Sequence, residues 1–288
     1  MNKFIYSCFA VLLLGITTPI VNAGTYYTNY NNIEMTENEY NNLVELGFTE
    51  DEIYLMGNTE FEANKDIEAT LVSATEKYYK TTTIIQNGIT TTSSEVISKE
   101  QYELEKDATP VTRSIYNGLV TTDYKHMLME MSQLDDNEMR LKITLTWLNI
   151  PSTRSNDIIG IGFEQSVVGL NSSIYFQQNY TNSSGSHSSV TSIPQEFSTG
   201  VSSVFDLPNG TISALSSYMY IDVRKNDDDE TITDMDAGGD YAHATSTISE
   251  TNAKKHTVNH ISGIVLQSSI QDYYDGINVA TASFIGTW

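Results

Sequence analysis

The stretch 127-MLMEMSQLDDNEMRLKITLTW-147 decides the fold. Met139, Leu141, Ile143, Leu145 and Trp147 alternate with Arg140, Lys142, Thr144 and Thr146, the period-two pattern of a strand that buries one face. Met127, Met129 and Met131 alternate in the same way, and Asp135-Asp136-Asn137 supplies turn chemistry between the two runs. The register follows from the pattern. A three-residue loop at 135–137 sets Met131 opposite Leu141, Met129 opposite Ile143 and Met127 opposite Leu145. A two-residue loop would set the methionines against Lys142, Thr144 and Thr146, so the longer loop is expected.

Upstream of this hairpin the texture is different. Residues 24–32, GTYYTNYNN, are short, polar and without period, and read as a linker. From 33 to about 65 the spacing turns helical, with Thr36/Glu39, Thr49/Glu52 and Thr59/Glu62 each spaced as a capping box. Gly47 is placed to end the first of these helices. So small a unit cannot bury much surface alone, so it is expected to pack on the rest of the chain or on a partner. Residues 71–86 and 89–97 flank Asn87-Gly88 and read as a second hairpin, followed by a short helix at 98–106 with a Ser98/Gln101 box. The segment around Ala108-Thr109-Pro110 reads as a boundary. The expected organisation is a small α+β module over 33–106 and a larger β module over 111–288.

Strands continue downstream. Residues 157–163 read as a buried strand, and 174–180 and 188–193 flank the turn Asn182-Ser183-Ser184-Gly185. Residues 211–224, 241–248, 261–266 and 277–288 follow, the last two parted by a turn near Asp275-Gly276. Many short strands with almost no helix predict a mostly β protein with a small helical N-terminal unit. An antiparallel β-sandwich is expected for the C-terminal module, with a β-barrel as the alternative.

Residues 1–23 read as a secretory signal peptide, from Lys3, the apolar run through Leu14 and Ile20, and the small-residue pattern Val21-Asn22-Ala23, with cleavage after Ala23. The one cysteine, Cys8, lies inside this segment, so the processed chain holds no disulfide and relies on its core. The formal net charge of −22 repels phosphate backbones and anionic headgroups, which excludes nucleic acid as an expected partner.

For chemistry, the acidic run 226–240, NDDDETITDMDAGGD, is the strongest candidate. Asp227, Asp229, Asp234, Asp236 and Asp240 are hard oxygen ligands with glycines nearby, and calcium is the one cofactor they suggest. The competing reading is a solvated acidic hairpin tip. His256 and His260 have metal-ligand spacing for a helix, but KKHTVNHIS reads as strand or loop and no glutamate completes a zinc-protease motif. Ser184 and His187 lie close in sequence without a nucleophile elbow. The serine-rich segment 171–205, with Phe197, Val201 and Phe205 alternating with polar residues, resembles insertion segments of secreted β-pore-forming toxins; an ordinary half-exposed sheet gives the same pattern.

Trp147, Leu148, Pro151, Arg154, Ser155, Asp157, Ile158, Ile159 and Gly160, with YAHATSTIS at 241–249, resemble a pattern in uncharacterised exported proteins of Gram-positive bacteria, in which a small acidic helical head precedes a β-rich module. The resemblance implies export and association with the envelope, and no activity. The function expected is non-catalytic binding of a protein or glycan at or outside the cell envelope, in keeping with the chain's Tyr, Asn, Ser and Thr content. The alternatives are a β-pore-forming or membrane-damaging protein, the one reading that involves membrane contact, and a secreted hydrolase whose helical unit is a pro-segment.

Overall fold

The structure, a computed structural model, describes residues 24, 26–87, 89–106, 118–189, 192, 194–227, 231–260 and 262–288. Two short strands, β1 (Tyr27–Thr28) and β2 (Glu34–Met35), precede helices α1 (Glu37–Glu45), α2 (Glu50–Leu55) and α3 (Asn58–Asn64). Then come β3 (Thr70–Gln86), β4 (Ile89–Ile97), α4 (Lys99–Glu105), β5 (Gly118–Gln133), β6 (Glu138–Trp147), β7 (Asn156–Phe163) and β8 (Val167–Asn182). The chain continues through β9 (Gly185–Ser189), β10 (Gln195–Phe197), β11 (Gly200–Asp206), β12 (Ile212–Lys225) and β13 (Asp234–Ala242). It closes with α5 (Glu250–Ala253), β14 (His256–Asn259), β15 (Gly263–Leu266), a 3-10 turn at Gln271–Tyr273 and β16 (Asn278–Ile285).

The central hairpin forms in the register its pattern predicts: Met131 faces Leu141, Met129 faces Ile143 and Met127 faces Leu145. It lies inside a seven-stranded sheet of order β4-β3-β5-β6-β12-β8-β9. A five-stranded sheet, β10-β11-β7-β13-β16, packs on one face of it, and every pairing in both is antiparallel. The three methionines of β5, the odd-numbered side chains of β6, and Met219, Ile221 and Val223 of β12 meet Ile159, Ile161, Phe205 and Tyr241 between the sheets. Neither sheet closes on itself, so the architecture is a sandwich and the barrel alternative does not hold.

The other face of the seven-stranded sheet differs from the sequence reading. Arg140, Lys142 and Thr144 alternate with the core residues as a solvent-facing row would, yet they are buried. The helical unit covers them. Leu43, Leu46, Phe48, Ile53, Met56 and Phe61 of that unit form one apolar cluster with Tyr218 and Tyr220 of β12. A further small layer, α5 with β14 and β15, caps the outer face of the five-stranded sheet through Val258, Ile264 and Leu266 against Ile158 and Val204.

Local chemistry explains the head. Thr36/Glu39 and Thr49/Glu52 form complete capping boxes, whereas α3 starts one residue before Thr59, at Asn58, with Gly57 as its cap and no side-chain bond. Gly47 sits at φ +87°, where the N–H of Phe48 returns to Leu43 O and that of Gly47 to Val44 O, closing α1 as a Schellman motif. The segment 26–32 is not a loose linker. β1 pairs with β2, and buried Asn29 donates from Nδ2 to Ile53 O and Met56 O while its Oδ1 accepts from the N–H groups of Asn31 and Ile33.

The hairpin at Asn87 forms as expected, with Asn87 at φ +55° and Gln86 opposite Ile89. β3 also pairs along its length with β5. The strands on either side of residues 107–117 therefore share one sheet, and the expected division between 106 and 111, itself outside the described residues, separates no two sheets. The cleavage point at Ala23 is likewise outside the described residues.

Candidate ligand-binding cleft

Two polar concavities lie where α2 meets the edge of the seven-stranded sheet. Asn29 fixes the turn carrying Tyr30, whose N–H donates to Tyr54 O at 2.9 Å, and the two exposed rings stand 5.7 Å apart. Opposite them, β8 presents Tyr175, Gln177 and Asn179 on one face, as period two requires. The Tyr175 hydroxyl donates to Gln177 Oε1 at 2.8 Å, and Gln177 Nε2 donates to Asn179 Oδ1 at 2.9 Å, so this row is held in place. The result is a cleft of about 450 Å³ walled by Tyr30, Asn58, Thr59, Tyr175, Gln177 and Ser188.

Glu60 is the chemical centre of this cleft. It is 2 % exposed, its Oε2 accepts from the Tyr218 hydroxyl at 2.6 Å, and the Tyr175 hydroxyl stands close enough to interact with the same carboxyl. Burial pushes its carboxyl up to about 8, so at neutral pH it is an uncharged acid. On the other side of α2 a second concavity of about 550 Å³ is walled by Tyr54, Asn179, Tyr180, Thr181 and Ser216, and Leu55 and Ser186 border both.

The sequence-based candidates lie elsewhere. Asp234 and Asp236 are exposed on β13, and Asp240 is buried on the same strand with Oδ2 accepting from Ile264 N at 3.1 Å. Burial pushes Asp240 up to about 7. Asp227 follows the end of β12, and Asp229 lies outside the described residues. The expected acidic hairpin tip is a crossover, because β12 belongs to one sheet and β13 to the other. Among the described residues no three His, Cys, Asp or Glu side chains come together as a metal site.

The histidines are accounted for by packing. His256 is neutral by burial, with Nδ1 on Ala253 O at 2.8 Å and Nε2 on Ser202 Oγ at 2.7 Å. That pair has the contacts of an activated serine, but Ser202 of β11 and His256 of β14 are both buried away from solvent. His260 lies 3.5 Å from Glu164, not beside His256. Ser184 and His187 do touch, at 3.0 Å, on the β8–β9 turn. Asn182 Oδ1 approaches the same Nε2 at 3.1 Å, and among the described residues no acceptor orients Nδ1 as a relay requires.

Sequence reasoning missed Tyr30, Tyr54, Glu60 and Tyr175. The one cue was the Tyr175-x-Gln177-x-Asn179 alternation, which marks a polar face on a strand whose other face carries Phe176. Tyr30 fell in the supposed linker, and Glu60 reads as one acid among many.

No protein-family model and no curated protein matches the chain. Solved structures with partial likeness include a collagen-binding domain from a Staphylococcus aureus adhesin, at 9% identity and TM-score 0.26, covering 38% of this chain and 77% of that one. The N-terminal domain of the Streptococcus gordonii adhesin Sgo0707 aligns at 8% identity and TM-score 0.32, over 75% of this chain and 56% of that one. The full-length major pilin SpaD from Corynebacterium diphtheriae aligns at 6% identity and TM-score 0.28, over 58% of this chain and 56% of that one. Likeness at this level establishes neither family nor function.

Proposed function

We propose that the chain is an exported, non-catalytic binding protein acting at or outside the cell envelope, and that it holds a neutral, hydroxyl-rich ligand such as a glycan in the cleft beside α2. The observation that carries this reading is Glu60: an acid kept neutral by burial among the residues that line a cleft walled by tyrosines and amides. A protonated carboxyl both donates to and accepts from hydroxyl groups, and exposed tyrosine rings offer flat apolar area for sugar faces. The net charge of −22 disfavours acidic ligands. Export rests on residues 1–23, and among the described residues no helix is long and apolar enough to cross a membrane.

The pore-forming alternative draws no support from the packing. The segment 171–205 is divided between both sheets, and Phe176, Val201 and Phe205 are core residues, so the alternation that suggested insertion is accounted for by burial. The test is an array of neutral and acidic glycans probed with the native protein and with the double variant Tyr30→Ala, Tyr54→Ala. Both rings are exposed, so the variant should keep its melting temperature and lose at least tenfold in affinity. Binding restricted to neutral glycans and lost in the variant is expected. Retention of acidic glycans, or equal binding by both proteins, overturns the assignment.

A further inference from the structure

We propose that Lys125 and Asp275 are joined by an amide bond between the lysine Nζ and the aspartate Cγ in the folded protein. Both side chains are fully buried, and Nζ lies 2.5 Å from Oδ2. One group comes from β5 and the other from the turn before β16, 150 residues later, so only the completed fold brings them together.

A comparison within the molecule sets this pair apart. An ammonium carries three donors. Buried Lys142 places its Nζ on three oxygens, Glu52 Oε2 at 2.8 Å, Gly47 O at 2.9 Å and Thr144 Oγ1 at 2.7 Å. Among the described residues Lys125 has one oxygen acceptor, Asp275 Oδ2, and otherwise faces the rings of Trp147 and Tyr241, with centroids 5.2 and 5.5 Å from Nζ. A buried charge so poorly supplied with partners is costly, and converting the pair to a neutral amide removes both charges at once.

The surroundings suit the reaction. Asp275 is immobile: its N–H donates to His243 O at 2.9 Å, and Thr81 Oγ1 lies 3.4 Å from Oδ2. Its Oδ1 accepts from the backbone N–H of His243 at 3.0 Å, a donor placed where the oxyanion of a tetrahedral intermediate develops. The ammonium first passes a proton to the carboxylate. Neutral Nζ then attacks Cγ and the C–N bond forms. The Cγ–Oδ2 bond breaks, and Oδ2 leaves as water with that proton and a second one from Nζ. No oxidant or cofactor is consumed. Groups held together in this way react at effective concentrations of about 10⁵–10⁸ M, and a core that excludes water opposes hydrolysis.

The test is intact mass under denaturing conditions, followed by peptide mapping of the native protein. A mass about 18 Da below that of the chain is expected, one water lost, together with a branched peptide joining the segments of Lys125 and Asp275. Asp275→Asn should condense with loss of ammonia, a deficit of about 17 Da, and Asp275→Ala should show none. The full sequence mass in the native protein overturns the proposal. So does a deficit that maps to a linear peptide, since Asp275-Gly276 can also lose water by cyclising on its own backbone.

Discussion

Glu60, Glu130 and Asp240 are buried carboxyl groups, and Lys142 Nζ stands 3.5 Å from Glu130 Oε2. Burial is the largest cause in every case, raising them to about 8, 7 and 7. For Glu130 the nearby Lys142 opposes the rise without cancelling it. In the unfolded chain such groups ionise near about 4. Between roughly pH 4 and 8 the native state therefore holds more protons than the unfolded state, and stability falls as pH rises through that window. The expected loss is of the order of a few kcal/mol, read as a melting temperature lower at pH 8 than at pH 5. Glu60→Gln keeps an acceptor for Tyr218 and cannot ionise, so it should flatten the profile and raise the melting temperature at pH 8. A native profile that rises steadily from pH 5 to 8 would remove the case for neutral acids. None of this was legible in the sequence, where these three look like any of 37 acidic residues; only burial distinguishes them.

At the scale of elements, what could be read depended on whether a pattern determined its own partner. The β5–β6 register was legible because a slip by one residue would bring Lys142, Thr144 and Thr146 onto the methionine face. The polar face of β6 was misread for the same reason: alternation says which residues share a face, not what covers it. The cover is the helical unit. Arg140 grips Asp222 in a bidentate pair at 2.6 and 3.0 Å and reaches Asn64 of α3 at 2.5 Å, while Lys142 ties β6 to α2 through Glu52. Thr144 closes the same link by donating to Glu52 Oε1 at 2.7 Å. Removing the cation leaves Glu52 and Glu130 buried without it, so Lys142→Ala should lose about 3–5 kcal/mol in chemical denaturation. Pairing that change with Glu52→Gln should recover part of the loss. A loss below about 1 kcal/mol, the range of exposed ion pairs, would mean the helical unit is not docked through this contact.

At the scale of the whole molecule, the layers run from the helical unit to the seven-stranded sheet, the five-stranded sheet and the small α5–β14–β15 cap. The mostly β class and its sandwich form followed from strand count and turn spacing. The sharing of strands between sheets did not, because consecutive strands such as β12 and β13 part company and only long-range contacts say so. The same layering makes the cleft, since its walls come from the helical unit and from β8–β9, neither of which contains it alone. The most direct measurement is hydrogen exchange followed by mass spectrometry, with and without the neutral glycan that the array selects. Added protection confined to peptides over 54–60 and 175–188 is the result expected. Protection that appears only in the cap over 250–266, with the cleft unchanged, would contradict the placement of the ligand.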